Sequence, residues 1–353
     1  MLFLGRLDAA YPMLFAADLK EKVWGGRRLE SWFENMPPGP APIGEAWVLS
    51  AHPNGPTRIT NGRLTGRTLV ELCPEFPLLI KVLSCEADLS VQVHPPDHYP
   101  RLRAGESGKS EVWLVLEAAP GASIIYGLAE GVTPELLRRA LTTALTTAMT
   151  PATSEVAYTT VHAASATKSS AADIMNCFRR VRVAAGDLIP VPPGTVHALG
   201  AGLVVAEVQQ SSDTTYRLWD YGRLGIDGKP RELHIEQALK VASYSRPPAI
   251  THPFAFELEA NTPQRMCSFA NFDIWRSTCS GQWHRNASPN AFRAILALSG
   301  RGALQWNDDQ SPVSPHQSIA LRPGSCVLIP ASCPSYTLQC DHGQLGLLEV
   351  TPA

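Results

Sequence analysis

The stretch LSVQVHPPDHY, residues 89–99, sets Ser90, Gln92 and His94 at alternate positions. On a strand, alternate side chains share a face, so a hydroxyl, an amide and an imidazole point the same way just before the Pro95–Pro96 turn. On a buried face such groups are costly unless something binds them. Whether a metal ion is that partner depends on what donors the rest of the chain supplies.

The elements that must position these groups are short. Thirty prolines and 26 glycines, spread along the 353 residues, cut the chain into Val-, Ile- and Leu-rich segments such as PLLIKVLS, SEVWLVLE, ASIIYGL, GDLIPVP and LVVAEVQQ. Short strands at close spacing, with turn signals between them, indicate a mainly β protein built as a sandwich or barrel. Helical periodicity is confined to TPELLRRALTTALTTAM, where Thr133 is the expected N-cap and Pro134 the first helical residue, and to a shorter helix expected at DIMNCFRRV. Residues 150–172, rich in Ala, Thr and Ser, read as a loop.

A weak internal repeat divides the chain. GDLIPVPPGTVHAL (186–199) and GSCVLIPASCPSYTL (324–338) share a glycine, a proline six positions later and a small residue two further on. The first copy carries His197 where the second has Ser335. Two related β-domains are therefore expected, an active one over residues 1–245 with a helical insertion at about 131–180, and a metal-free one over residues 246–353.

Gly186, Pro192, Gly194 and His197 resemble the second motif of the cupin barrel, a jelly-roll fold. The resemblance implies a partner motif upstream, and QVH followed by Glu111 in KSEVW fits it. The implied ligand set is then Gln92, His94, Glu111 and His197: two imidazoles, a carboxylate and an amide oxygen. A lone strand histidine is more often hydrogen-bonded than metal-bound, but four donors without thiolate suit one Zn2+ in a catalytic site with room for water or substrate.

Composition narrows the alternatives. A net charge of −2 with dispersed Lys and Arg implies no nucleic-acid or membrane-surface partner, and no protein partner is indicated. Eight cysteines without CxxC pairing read as reduced thiols of a cytoplasmic protein rather than a disulfide framework. The first residues, MLFLGRLDAAYP, read neither as a signal peptide nor as an anchor.

Longer stretches carry a closer resemblance. WGGRRL (24–29), IGEAWVLSAHPNG (43–55), PLLIKVLSCEADLSVQVHP (77–95), GKSEVWLVL (108–116), PPGTVHALG (192–200), EVQQSSDTTYRLWDYGR (207–223) and KPRELHIEQALKV (229–241) are similar to type I mannose-6-phosphate isomerases of the shorter form. The resemblance implies zinc-dependent interconversion of mannose 6-phosphate and fructose 6-phosphate, with a proton moved between neighbouring carbons through an enediol. It also implies that Arg217 is the catalytic arginine, whose permanent charge would stabilise the developing anion. Glu207 is the candidate to shuttle the proton. For the sugar phosphate, Ser90 and Lys109 share faces with metal ligands, and Lys81, Glu45 and Arg223 are further candidates for substrate binding. Lys81 could equally snorkel to the surface from its apolar strand, and Trp47 could line the pocket or simply belong to the core. Two other readings compete: a different metal-dependent cupin enzyme, such as an oxygenase or epimerase, and a non-catalytic sugar-binding cupin. Oxygenases use more imidazoles, and a binding protein need not keep the arginine.

Overall fold

In a computed structural model of the chain, residues 11–102, 106–149, 173–252, 258–269, 271–288, 291–307, 316–333 and 335–353 are described. The fold is mainly β and cupin-like, with four antiparallel sheets. In the first half of the chain a six-stranded sheet runs in the order Leu188–Val191, Glu111–Ala118, Leu203–Gln210, Leu78–Cys85, Ile43–Ser50, Asp18–Gly26. A five-stranded sheet runs Tyr216–Trp219, Val91–Val93, His197–Leu199, Ser123–Leu128, Phe178–Arg182. The central strands of the larger sheet, Leu78–Cys85 and Leu203–Gln210, are buried on both faces apart from half-buried Gln210, which is why their sequences are near-continuous apolar runs rather than alternating ones.

The second half contributes a seven-stranded and a four-stranded sheet. The seven-stranded sheet recruits two strands from the beginning of the chain. Met13–Ala16 pairs with Cys326–Ile329 in the register Met13 to Leu328, and Arg58–Ile59 pairs in turn with Phe15 and Ala16. Strand pairing thus crosses the expected boundary at 245/246. The cores merge too: one cluster holds Met13, Phe15, Ile43, Leu49, Ile59, Val82 and Val208 together with Phe272, Phe292, Leu328 and Val350.

The helix Pro134–Met149 starts as expected, with the Thr133 hydroxyl accepting from the Leu136 N–H. The second expected helix is corrected. Only Asp173–Met175 is helical, and Phe178–Arg182 is an edge strand on Ser123–Leu128. From Arg179 onward exposure alternates, with Arg179 and Val181 half-buried and Arg180 and Arg182 exposed, the period of two that a strand requires. Residues 150–172, read as a loop, lie outside the described residues. The helix Ile235–Val241 packs on the Tyr216–Trp219 strand and closes the end of the first β unit. Among the described residues, no helix is long and apolar enough to cross a membrane.

Candidate active site

The two sheets of the first half bring His94, Glu111 and His197 together. His197 lies beside Gln92 in the five-stranded sheet, and Glu111 opens the neighbouring strand of the six-stranded one. Two backbone contacts fix the segments. The His94 carbonyl accepts from the Gly194 N–H at 2.9 Å, and the Lys109 N–H donates to the Pro95 carbonyl at 3.0 Å. Gly108 makes the second contact possible, because a Cβ there would lie 2.2 Å from the Asp97 nitrogen. Gly194 turns the chain into the His197 strand with φ +85°, a conformation that favours glycine.

The three side chains are fully buried, and their donor atoms lie within 4.8 Å of one another. His94 Nδ1 is 2.9 Å from the Thr214 carbonyl and His197 Nδ1 is 2.8 Å from the Thr195 carbonyl. A carbonyl only accepts, so each Nδ1 carries the proton and each Nε2 presents a lone pair. Those lone pairs face the Glu111 carboxylate at 3.4 Å and 3.2 Å, and neither Nε2 meets a hydrogen-bond donor, while Lys109 Nζ reaches only Oε2 of the carboxylate, leaving Oε1 turned toward His197. Burial, with Lys109 adding to it, pushes His94 down to about 3, and burial likewise lowers His197, so neither ring relieves the conflict by protonation near neutrality. Acceptors converging on acceptors in a buried site are stable when a cation sits among them. The donors are those a divalent metal ion takes.

Next to this cluster lies a cleft of about 420 Å³. Gln92, Ser90, Lys81, Lys109, Glu45, Glu207, Trp47 and Arg217 all line it, so the structure gathers these sequence-predicted residues around one space. Arg223 is not among the lining residues. It bonds Asp220 at 2.9 Å and the Asp88 carbonyl at 2.5 Å, because the buried Asp220 carboxylate needs donors. Arg231, which the sequence reading did not single out, grips the same carboxylate through Nε at 2.7 Å and Nη2 at 2.5 Å and does reach the cleft. Lys20, Lys22, Asn54 and Asp213 were also missed. Lys20 and Lys22 lie on the edge strand Asp18–Gly26, where an ordinary solvated face also carries lysines, and Asn54 and Asp213 lie in loops, where polar residues are the rule.

Charge in the cleft is arranged in pairs. Lys81 does not snorkel: it is buried, with Nζ 2.8 Å from Glu207 and 2.7 Å from the Gln209 side-chain oxygen. Burial opposes its charge, but Glu207 and Glu45 outweigh it and raise its pKa. Glu45 accepts from the Trp47 indole at 2.8 Å and meets Lys22 at 3.2 Å; burial would raise its pKa, but Lys81 and Lys22 hold it below the usual carboxylate value. Lys109 sits 2.7 Å from Glu111. The second oxygen of Glu207 accepts from Trp113 at 3.0 Å. Arg217 is different. It donates to the Ser90 hydroxyl at 3.2 Å and the Glu232 carbonyl at 2.7 Å, and no ion pair joins it to a carboxylate among the described residues.

In the second half, Ser335 is exposed, and among the described residues the His94–Glu111–His197 group is the one cluster of its kind. The interior of that half instead holds Glu349, fully buried, between Arg285 at 2.8 Å and Arg293 at 2.6 Å.

Residues 13–110 match the family model for the catalytic domain of type I phosphomannose isomerase. The mannose-6-phosphate isomerase of Streptococcus mutans is 32% identical over 344 residues, covering 94% of this chain and 96% of the relative. A mannose-6-phosphate isomerase of Bacillus subtilis is 32% identical over 311 residues, covering 83% of this chain and 87% of the relative. Among solved structures, a mannose 6-phosphate isomerase from Bacillus subtilis superposes with a TM-score of 0.73 at 28% identity, over 96% of this chain and 99% of that one. With its cleft beside a buried His–Glu–His cluster and its length shared almost end to end with these relatives, the chain is an isomerase and belongs to the type I mannose-6-phosphate isomerase family.

Proposed function

We propose that the protein interconverts mannose 6-phosphate and fructose 6-phosphate in the cytoplasm, with one Zn2+ per chain bound by Gln92, His94, Glu111 and His197. The observation that carries this reading is the pair of buried Nε2 lone pairs facing the Glu111 carboxylate beside the cleft. Gln92, cross-strand neighbour of both His197 and Arg217, lines the cleft and would supply the fourth donor. When bound, zinc would polarise the substrate oxygens and stabilise negative charge as the enediol forms.

The chain's own residues divide the remaining work. Arg217, lacking a carboxylate partner among the described residues, would stabilise the negative charge that grows on the sugar oxygens. Glu207 would carry the proton between the two carbons, with Lys81 at 2.8 Å balancing its charge. Lys81 and Lys109 are each matched by a carboxylate, so the positive surplus for the 6-phosphate comes from the arginine end. There Arg223 and Arg231 share the single buried carboxylate of Asp220, Arg217 feels the like charge of Arg231, and Ser90 adds a hydroxyl at the cleft wall.

Metal analysis together with a coupled assay for fructose 6-phosphate tests the proposal. One zinc per chain, with turnover lost on chelation and restored by zinc, is the expected result. Turnover that persists without metal, or equal turnover of free mannose, would sink it.

A further inference from the structure

We propose that Gln209 is a positioning residue that ties the Lys81–Glu207 ion pair to the orientation of the His94 imidazole. Gln209 ends the buried run of the Leu203–Gln210 strand and is itself fully buried. Its side-chain oxygen accepts from Lys81 Nζ at 2.7 Å, while its side-chain nitrogen donates to the carbonyls of Ser212 at 2.5 Å and Gln210 at 2.9 Å. Lys81 has only protons to offer and the two carbonyls only lone pairs, so the amide is held in one orientation. Glutamate would match the lysine but oppose the carbonyls, and an apolar side chain of the same length would match neither.

The line continues to the metal cluster. The Ser212 hydroxyl accepts from the Thr214 N–H at 3.3 Å and donates to the Ser107 carbonyl at 2.9 Å. The Thr214 carbonyl then receives His94 Nδ1 at 2.9 Å. Ser212 and Thr214 are both buried, so each hydrogen bond is one that water does not readily replace. Gln209 therefore braces the segment whose carbonyl selects the His94 tautomer and aims its Nε2. Partners of this kind are worth about 10–100-fold in metal affinity.

The inference rests on the proposed metal site, and two readouts separate their failures. Co2+ affinity is measured by competition with a chelator, and the ring-nitrogen NMR signals of His94 are recorded in metal-free protein. Gln209→Glu, which keeps the acceptor for Lys81, and Gln209→Met, which loses both functions, are each expected to weaken Co2+ binding about 10–100-fold. Both should shift His94 from a single Nδ1–H tautomer toward a mixture. Ile295→Val, a core truncation in the other half of the molecule, should lower Tm with Co2+ affinity unchanged. Should Gln209→Met fail to fold, Gln209→Glu decides. Gln209 variants that lose Tm but keep parental Co2+ affinity and a single His94 tautomer would overturn the positioning role. A parent that binds no Co2+ would overturn the metal site, and the His94 signals would still judge Gln209.

Discussion

Arg217 combines a fixed positive charge with a surrounding that leaves it unneutralised. Burial, followed by the like charge of Arg231, lowers its pKa, so an anion arriving in the cleft relieves a crowding that already exists. Arg217→Lys keeps the charge but loses the planar fork that reaches the Ser90 hydroxyl and the Glu232 carbonyl together. We expect kcat for mannose 6-phosphate to fall about 100–1000-fold with KM little changed. Steady-state kinetics checks this, and an effect confined to KM would make the residue a ground-state binder. At the same scale, His197→Ala should abolish metal binding and turnover while circular dichroism still reports a folded protein. The strand it belongs to is held by Tyr126, Ile125 and Ile124 across the ladder.

Strands and turns decide whether those side chains meet. Gly108 lets the segment before Lys109 press against Pro96 and Asp97, with room for no Cβ. Gly108→Ala should cost about 1–3 kcal/mol, as overpacking does, and should also weaken metal binding by displacing Lys109 and Glu111. Urea unfolding beside a metal titration distinguishes the two effects, and a stability loss with unchanged metal affinity would show that the turn serves the fold alone. Much of this was legible beforehand. Ser90, Gln92 and His94 alternate on one face, and the PPGTVH turn delivers His197, because strand periodicity and glycine turns are local properties of the chain. The Arg231 grip on Asp220 was not legible, since it joins a strand end to a loop through a carboxylate whose burial depends on distant packing. FRRVR misled for a related reason. Three arginines within five residues suit a helix by propensity, but the edge of the five-stranded sheet supplied a ladder that overrode it.

The whole molecule is stitched across its expected boundary, and its two β units solve the same interior problem differently. In one, acceptors converge where a metal ion fits; in the other, Arg285 and Arg293 close on Glu349. Burial raises the Glu349 pKa, but the two guanidiniums outweigh it and hold it below the ordinary value of 4.5. A carboxyl depressed on folding stabilises the native state above its unfolded pKa, and that contribution is lost as pH falls through the native value. Glu349→Gln should therefore cost about 3–5 kcal/mol near neutrality, because it leaves two arginines facing a neutral amide. The Tm difference between parent and variant should shrink as pH drops below 4.5. A difference independent of pH would mean that packing, not charge, is what Glu349 contributes.

The pairing of Met13 with Leu328 also has a consequence for how the protein is made. On a ribosome adding about 5–20 residues per second, the segment Met13–Ala16 waits roughly 15–60 s before its partner Cys326–Ile329 has been synthesised. Throughout that interval Met13 and Phe15, both buried in the finished molecule, lack the surface that will cover them. The first barrel can assemble early, but the sheet that joins the beginning of the chain to its end is the last to close. Nascent chains stalled before residue 326 should therefore expose the Met13 segment to chaperones and proteases, and chains released beyond residue 329 should not.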